Sequence, residues 1–236
     1  AMITRKVAPA LAAGCTVVLK AAPDTPWTAT MLSRVVKENT DIPAGVFNVI
    51  TSEDPRTVGD QLVSDPRVDM VSFTGSTSVG KHIMARAAQT VKKVFLELGG
   101  KSANIILDDA NLKSSLFSCM GVCFHSGQGC AILTRLLVPR SMQAEVEALL
   151  PTYFGYIEYG DPQADSQIMG PLINARQRDR VLAYIEKGKA EGARLLMGGG
   201  VPAHLKKGYY VEPTVFVDVT NDMTIAREEI FGPVLV

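Results

Sequence analysis

The sequence predicts an α/β protein built on a doubly wound, parallel sheet. Three observations point there. Short β-rich runs alternate with longer helical segments along almost the whole chain. Glycine and proline punctuate the joins, at Gly14, Pro43-Ala44-Gly45, Gly99-Gly100 and Gly198-Gly199-Gly200. The loops between elements are short until roughly Tyr159 to Asn174, where Gly, Pro, Asp and Gln collect.

In order, Met2 to Ala13 reads as a helix stopped by Gly14, and Thr16 to Lys20 as a strand. Thr25-Pro26 is an N-cap followed by proline at the first helical position, opening a helix from Trp27 to about Asn39. Val46 to Ile50 is a strand, and Asp54-Pro55 opens a helix to about Ser64. Val68 to Thr74 is a strand, Gly75 to Gly80 a loop into a helix ending near Thr90, and Val91 to Leu98 a strand. After Gly99-Gly100 the pattern restarts. Strands are expected over Ala103–Leu107, Arg135–Val138 and Val211–Val219, and helices over Leu112–Phe124, Gln143–Leu150 and Ala175–Glu191. Glu228 to Pro233 is a loop before a last apolar run. The glycine pair divides the chain into domains of residues 1–98 and 99–236.

Composition excludes several classes. A net charge of zero supplies no electrostatic footprint for nucleic acid. No apolar run reaches the length of a membrane span. Four cysteines are too few for a disulfide scaffold and fit a reduced, cytosolic setting. Both ends read as cut: Ala1 falls inside a helical pattern and Val236 inside a strand-like one, as in a piece of a longer chain.

Four sets of residues carry candidate chemistry. Phe124-His125-Ser126-Gly127-Gln128-Gly129-Cys130 places a cysteine after a run of small residues, where free backbone N–H groups favour a thiolate; the competing reading is a cysteine that only fills a core. Gly75-Ser76-Thr77-Ser78-Val79-Gly80-Lys81 follows a strand and opens a helix, a place where N–H groups hold phosphate. It nearly matches a P-loop, with Asp108-Asp109 as a magnesium-side candidate, but His82 stands where that loop needs Ser or Thr. Cys119, Cys123, His125 and Cys130 are all possible metal ligands, yet lack paired zinc spacing, and core packing explains the first two better. Glu97, at the end of an apolar strand, is expected to be partly desolvated and so usable as a general base. Glu228, Glu229 and Lys20 equally suit solvated positions.

Taken together, five motifs resemble the NAD(P)-dependent aldehyde dehydrogenase superfamily. They are Val17-Val18-Leu19-Lys20, Phe73-Thr74-Gly75-Ser76-Thr77, Leu96-Glu97-Leu98-Gly99-Gly100-Lys101, Gly127-Gln128-Gly129-Cys130 and Glu228-Glu229-Ile230-Phe231-Gly232-Pro233, in the family's order over nearly the whole chain. The resemblance implies a variant Rossmann-type dinucleotide-binding domain and an α/β catalytic domain with a parallel sheet. It implies oxidation of a small aldehyde or semialdehyde to the acid with NAD or NADP. Cys130 is then the nucleophile, forming a thiohemiacetal and a thioester, and Glu97 activates the hydrolytic water. The backbone N–H of Cys130 helps stabilise the oxyanion. Lys20 binds the adenosine ribose, Ser76 the pyrophosphate, Thr74 and Gly75 line the nicotinamide, and Glu229 holds its ribose beside Phe231. A homodimer or homotetramer is the family habit.

The chain departs from the family pattern at Pro23, where NAD-preferring members carry a glutamate for the ribose 2′-hydroxyl; Asp24 is a possible substitute, and the choice of cofactor stays open. His125 stands where asparagine is frequent. The family's oxyanion asparagine, in a Pro-Trp-Asn motif, lies upstream of Ala1, so this piece alone is expected to be inactive or nearly so. Two relatives of different chemistry share most of these motifs: a dehydrogenase that passes its acyl group to coenzyme A, and a non-catalytic homologue that only binds.

Overall fold

A computed structural model describes residues 2–236. The chain divides into two compact units, Ala1–Leu98 and Gly99–Val236, each described here by itself. The first contains helix α1 (Met2–Ala12), strand β1 (Val17–Lys20), α2 (Pro26–Asn39), β2 (Phe47–Ile50), α3 (Pro55–Ser64), β3 (Met70–Gly75), α4 (Thr77–Ala87) and β4 (Lys93–Leu98). Its strands pair in parallel, β1 with β2 and β3 with β4, the latter in the register Met70↔Lys93 through Gly75↔Leu98. Parallel pairing requires a crossover, and α2 and α4 supply the two helices.

Local chemistry explains these boundaries. The Asp54 side chain accepts from the N–H groups of Arg56 and Thr57, and Pro55 fills the first turn of α3. Thr25 is the N-cap of α2 by position, but its hydroxyl makes no capping hydrogen bond; Pro26 supplies the start. Val63, Ile83 and Ala87 pack on Val71, Phe73, Val94 and Leu96, so α3 and α4 cover one face of the β3–β4 pair. The expected strand from Val91 begins two residues late. A 3-10 turn over Ala88–Thr90 ends α4, and Val91 takes the left-handed conformation at φ 52°. Lys92 is buried instead, its ammonium donating to the carbonyls of Asp65 and, at 2.8 Å, Val68. It thereby ties the turn before β3 to the start of β4.

The second unit contains β5 (Ser102–Ile105), α5 (Leu112–Cys119), β6 (Leu133–Leu137), α6 (Gln143–Gly155), α7 (Ala175–Ala190), β7 (Arg194–Met197), β8 (Thr214–Val217), α8 (Thr224–Arg227) and β9 (Val234–Leu235). β5 and β6 pair in parallel, as do β8 and β9, while β7 runs antiparallel to β8. The N–H of Leu136 donates to the carbonyl of Val236 at 2.7 Å, and that of Val236 to Thr134 at 3.0 Å, so the last residues join the β6 edge. One core gathers Leu116, Val122, Leu150 and Phe154 around α5 and α6; another gathers Val181, Ile185, Phe216, Ile225 and Val234 around α7.

Two expectations are corrected in this unit, and two short elements were not foreseen. The helix foreseen over Leu112–Phe124 stops at Cys119 and continues as 3-10 turns over Met120–Gly127, with a kink at Phe124. Helix α6 passes through Pro151 to Gly155, because burial of Leu150 and Phe154 on either side outweighs the lost hydrogen bond. β7 and the single-turn α8 escaped the pattern, each being only four residues long. Among the described residues, no helix is long and apolar enough to cross a membrane.

Replacing Lys92 with methionine should leave two turn carbonyls without their donor, and lower stability by about 1–3 kcal/mol. Urea denaturation of the protein that contains this chain checks it; an unchanged midpoint would mean the turn is held by other contacts.

Candidate active site

In the first unit, the expected cofactor residues gather at the C-terminal ends of strands. Thr74 and Gly75 close β3, and Thr74 stands opposite Glu97 of β4 in the parallel register. The Thr74 hydroxyl is buried and has no hydrogen-bond partner, an orphan polar group. Ser76 alone connects β3 to α4 and caps the helix, its hydroxyl accepting from the Val79 N–H at 3.4 Å. A one-residue connection is no P-loop cradle. Gly80, the second glycine of that candidate loop, is buried within α4, where a Cβ would meet Leu98 at 2.7 Å. Its smallness serves helix-on-strand packing, and the triphosphate reading fails on this geometry. Lys20 ends β1, its ammonium donating to the Ala21 carbonyl at 3.0 Å.

Glu97 differs from expectation. It is exposed, because β4 alternates and Glu97 shares its outward face with Lys93 and Phe95. The desolvation foreseen for it is therefore absent in this unit. Its neighbour is Lys6 of α1, which donates to the Ser72 hydroxyl at 2.8 Å and lies 5.8 Å from the Phe95 ring centre. Burial holds the Lys6 ammonium below the usual lysine range, and the charge of Glu97 opposes that shift.

In the second unit, three of the five motifs meet. Cys130 is exposed and unpaired, at the end of the turn that follows the kink. His125, Ser126 and Gly127 all adopt left-handed backbone, at φ 50°, 57° and 72°. Cys130 therefore follows a turn and not the end of a regular α-helix. Gly127 is required twice over: its φ is positive, and a Cβ would lie 2.0 Å from the Gly232 carbonyl oxygen. The cysteine turn is thus packed directly on the Glu228–Pro233 loop.

That loop is held from α7. Gln177 donates to the carbonyls of Phe231 at 2.7 Å and Ile230 at 3.4 Å, Arg180 to that of Glu229 at 2.7 Å, and the Tyr184 hydroxyl to the Glu228 carboxylate at 2.7 Å. Phe231 is left-handed at φ 61°, a strained state that the Gln177 bond helps to fix. The Glu229 carboxylate lies over Gly99, where a Cβ would be 1.9 Å from its oxygen, and accepts from the Gly100 N–H. Burial raises its pKa, while Gly100, Arg180 and Lys101 act in the opposite sense. Lys101 is the matching cation. Burial and then the charge of Arg135 push it down to about 7, against the pull of Glu229. Sequence reasoning passed over Lys101, Gln177 and Arg180; the first is legible only as the tail of the Leu96–Lys101 motif, the others as polar positions of a long helix.

The metal candidates separate. Cys119 and Cys123 are buried while His125 and Cys130 are exposed, and among the described residues no group of three or more His, Cys, Asp or Glu could hold an ion. Burial pushes the Cys119 thiol up to about 11, against hydrogen bonds from Asn104 and Ser118, and the Cys123 thiol up to about 12.

Known proteins match this chain closely. The model of the Aldehyde dehydrogenase family matches residues 1–236. A 3-succinoylsemialdehyde-pyridine dehydrogenase of Pseudomonas sp is 48% identical over 235 residues, covering 99% of this chain and 49% of that protein. A betaine aldehyde dehydrogenase of Sinorhizobium fredii is 46% identical, covering 98% and 47%. Among solved structures, aldehyde dehydrogenase C of Pseudomonas syringae, with a cysteine replaced by alanine and in complex with NAD+ and octanal, superposes with a TM-score of 0.94 at 46% identity, covering 99% of this chain and 48% of that one. An aldehyde dehydrogenase of Mycobacterium tuberculosis in complex with NAD+ superposes at 0.93 with 47% identity, covering 98% and 47%. The chain spans about half the length of the relatives it matches.

Iodoacetamide at neutral pH should label Cys130 and Cys15, both exposed, and leave Cys119 and Cys123 untouched until the protein is denatured. Peptide mass mapping reads this, and equal labelling of all four would contradict the buried placement. Lys101 gives a pH test. Its pKa is lower folded, at about 7, than in an unfolded chain, so the unfolded state binds more protons above that pH. Its contribution to stability should therefore rise from about pH 7 to about pH 10. Across that window wild type should gain stability relative to Lys101→Met as pH rises and the buried ammonium loses its proton, read from denaturation midpoints; parallel curves would show the ammonium to be hydrated.

Proposed function

The chain belongs to the aldehyde dehydrogenase family, and from that premise we propose that the protein containing it oxidises a small aldehyde or semialdehyde to the acid, with Cys130 as nucleophile. The observation that carries this reading is the second unit's turn: an exposed cysteine, after three left-handed residues, locked against the loop that presents Glu229 and Phe231. An ordinary core cysteine has no use for such a turn.

The Cys130 thiolate adds to the aldehyde carbonyl and forms a thiohemiacetal. The backbone N–H of Cys130 supports the oxyanion. Oxidation converts the adduct to a thioester. Glu97 then takes a proton from the water that hydrolyses it, releasing the acid and the thiolate.

NAD or NADP supplies the hydride acceptor when bound. The residues present suit a dinucleotide. The orphan Thr74 hydroxyl awaits a polar partner, the Ser76-capped start of α4 suits pyrophosphate, and the partly desolvated Glu229 suits a ribose hydroxyl. Lys20 is assigned to the adenosine ribose, Gly75 and Phe231 to the nicotinamide end. Pro23 places no carboxylate against a 2′-phosphate, so both cofactors are candidates. A homodimer or homotetramer is part of the same proposal.

The test uses the full-length protein, a panel of small aldehydes and semialdehydes, and NAD and NADP side by side, followed at the absorbance of the reduced nicotinamide. Wild type should reduce at least one cofactor, and Cys130→Ala should lose about four powers of ten or more in rate. Reduction that survives the substitution would exclude the thiohemiacetal route.

A further inference from the structure

We propose that the Ser126 hydroxyl is the positioning group for Cys130, fastening the nucleophile turn to the segment Gly170–Ile173. The inference rests on the reading of Cys130 as nucleophile and adds to it what holds that residue in place.

Ser126 is an unusual serine. It is buried, with 2% of its surface exposed, and its backbone is left-handed at φ 57° between two other left-handed residues. Each non-glycine residue in that region costs about 1 kcal/mol or more, so a turn with His125 and Ser126 both there needs external support. The support is visible. The Ser126 hydroxyl donates to the Gly170 carbonyl at 2.6 Å, with the Pro171 carbonyl at 3.3 Å as a second acceptor. Gln128 repeats the attachment: its side-chain oxygen accepts from the Ile173 N–H, and its side-chain nitrogen donates back to the His125 carbonyl, both at 3.0 Å. On the other side, Gly127 is stopped by the Gly232 backbone. The turn is therefore gripped from two directions, and Cys130, two residues beyond Gln128 and itself exposed, takes its place from that grip.

The grip matters because attack on a carbonyl needs the sulfur within a fraction of an ångström of its working position. A misplacement of about 1 Å can cost a rate factor on the order of 100. Losing the hydroxyl frees the turn from Gly170 while leaving the Glu229–Phe231 loop, which α7 holds independently through Gln177 and Arg180. The expected signature is a loss in kcat with cofactor affinity kept.

The experiment compares Ser126→Ala, Ser126→Gly and Cys130→Ala in the full-length protein, with kcat, the KM for the dinucleotide and the thermal midpoint measured for each. Alanine removes the hydroxyl and keeps the backbone cost; glycine removes the hydroxyl and relieves that cost, so it separates positioning from folding. Both serine variants should lose roughly tenfold to a hundredfold in kcat, with the KM for the dinucleotide within about twofold and the glycine variant melting near wild type. Retention of kcat in either variant overturns the proposal. So does a joint loss of kcat, dinucleotide affinity and thermal midpoint in both, which would mark Ser126 as a general fold contact. Activity in Cys130→Ala sinks the nucleophile reading itself, a result independent of what the serine variants do.

Discussion

The close approach of two backbones, at Gly127 and Gly232, is the constraint on which the chemistry of the second unit depends. With a virtual Cβ only 2.0 Å from the opposing carbonyl oxygen, no side chain fits at Gly127. Gly232 is closed on its other side by Val181, where a Cβ would lie 2.4 Å from a methyl carbon. A helix, a loop and a turn are therefore stacked in that order, α7 on the Glu228–Pro233 loop and the loop on the cysteine turn. The tolerance for movement is small, because close-packed layers transmit displacement and do not absorb it.

Polar bonds refine what packing sets. Gln177, Arg180 and Tyr184 line one side of α7 and hold four residues of the loop, Glu228 to Phe231, by carbonyls and one carboxylate. Most of these are side chain to backbone bonds, which fix the path of the chain whatever side chains it bears. The strained φ of Phe231 is sustained this way, as are those of His125 and Ser126 on the neighbouring turn. Strain gathered at the turn before an exposed cysteine and at a loop proposed to bind cofactor is the distribution expected of a preorganised site.

Electrostatics couples the third and fifth sequence motifs, Leu96–Lys101 and Glu228–Pro233, through Gly99-Gly100-Lys101. Two opposite charges, Glu229 and Lys101, are both partly withdrawn from water, and each makes the other's burial tolerable. Gly99 has no room for a side chain because the carboxylate rests on it, and Gly100 contributes its N–H to that carboxylate. In the first unit the same economy of space appears at Gly80, where a residue that looked like part of a phosphate loop is a packing contact with Leu98. Glycine in a motif signals either a ligand or a neighbour, and only coordinates distinguish the two.

By itself the sequence determined the α/β alternation, the helix starts at Pro26 and Pro55, and the residues worth watching. These follow from local physics: caps, prolines and hydrophobic period act over a few residues. The loop expected over Gly75–Gly80 is instead mostly helix, α4 starting at Thr77. The family was also legible, because its five motifs are contiguous strings. The tertiary structure alone decided that α5 stops at Cys119, that α6 continues through Pro151, and that β7 pairs antiparallel to β8. It alone decided that Glu97 faces outward, and that Ser126 reaches Gly170 across 44 residues of chain. Each of these is settled by partners far away in sequence, whose burial and hydrogen bonds outweigh local preference, and such partners leave no mark on the segment they hold.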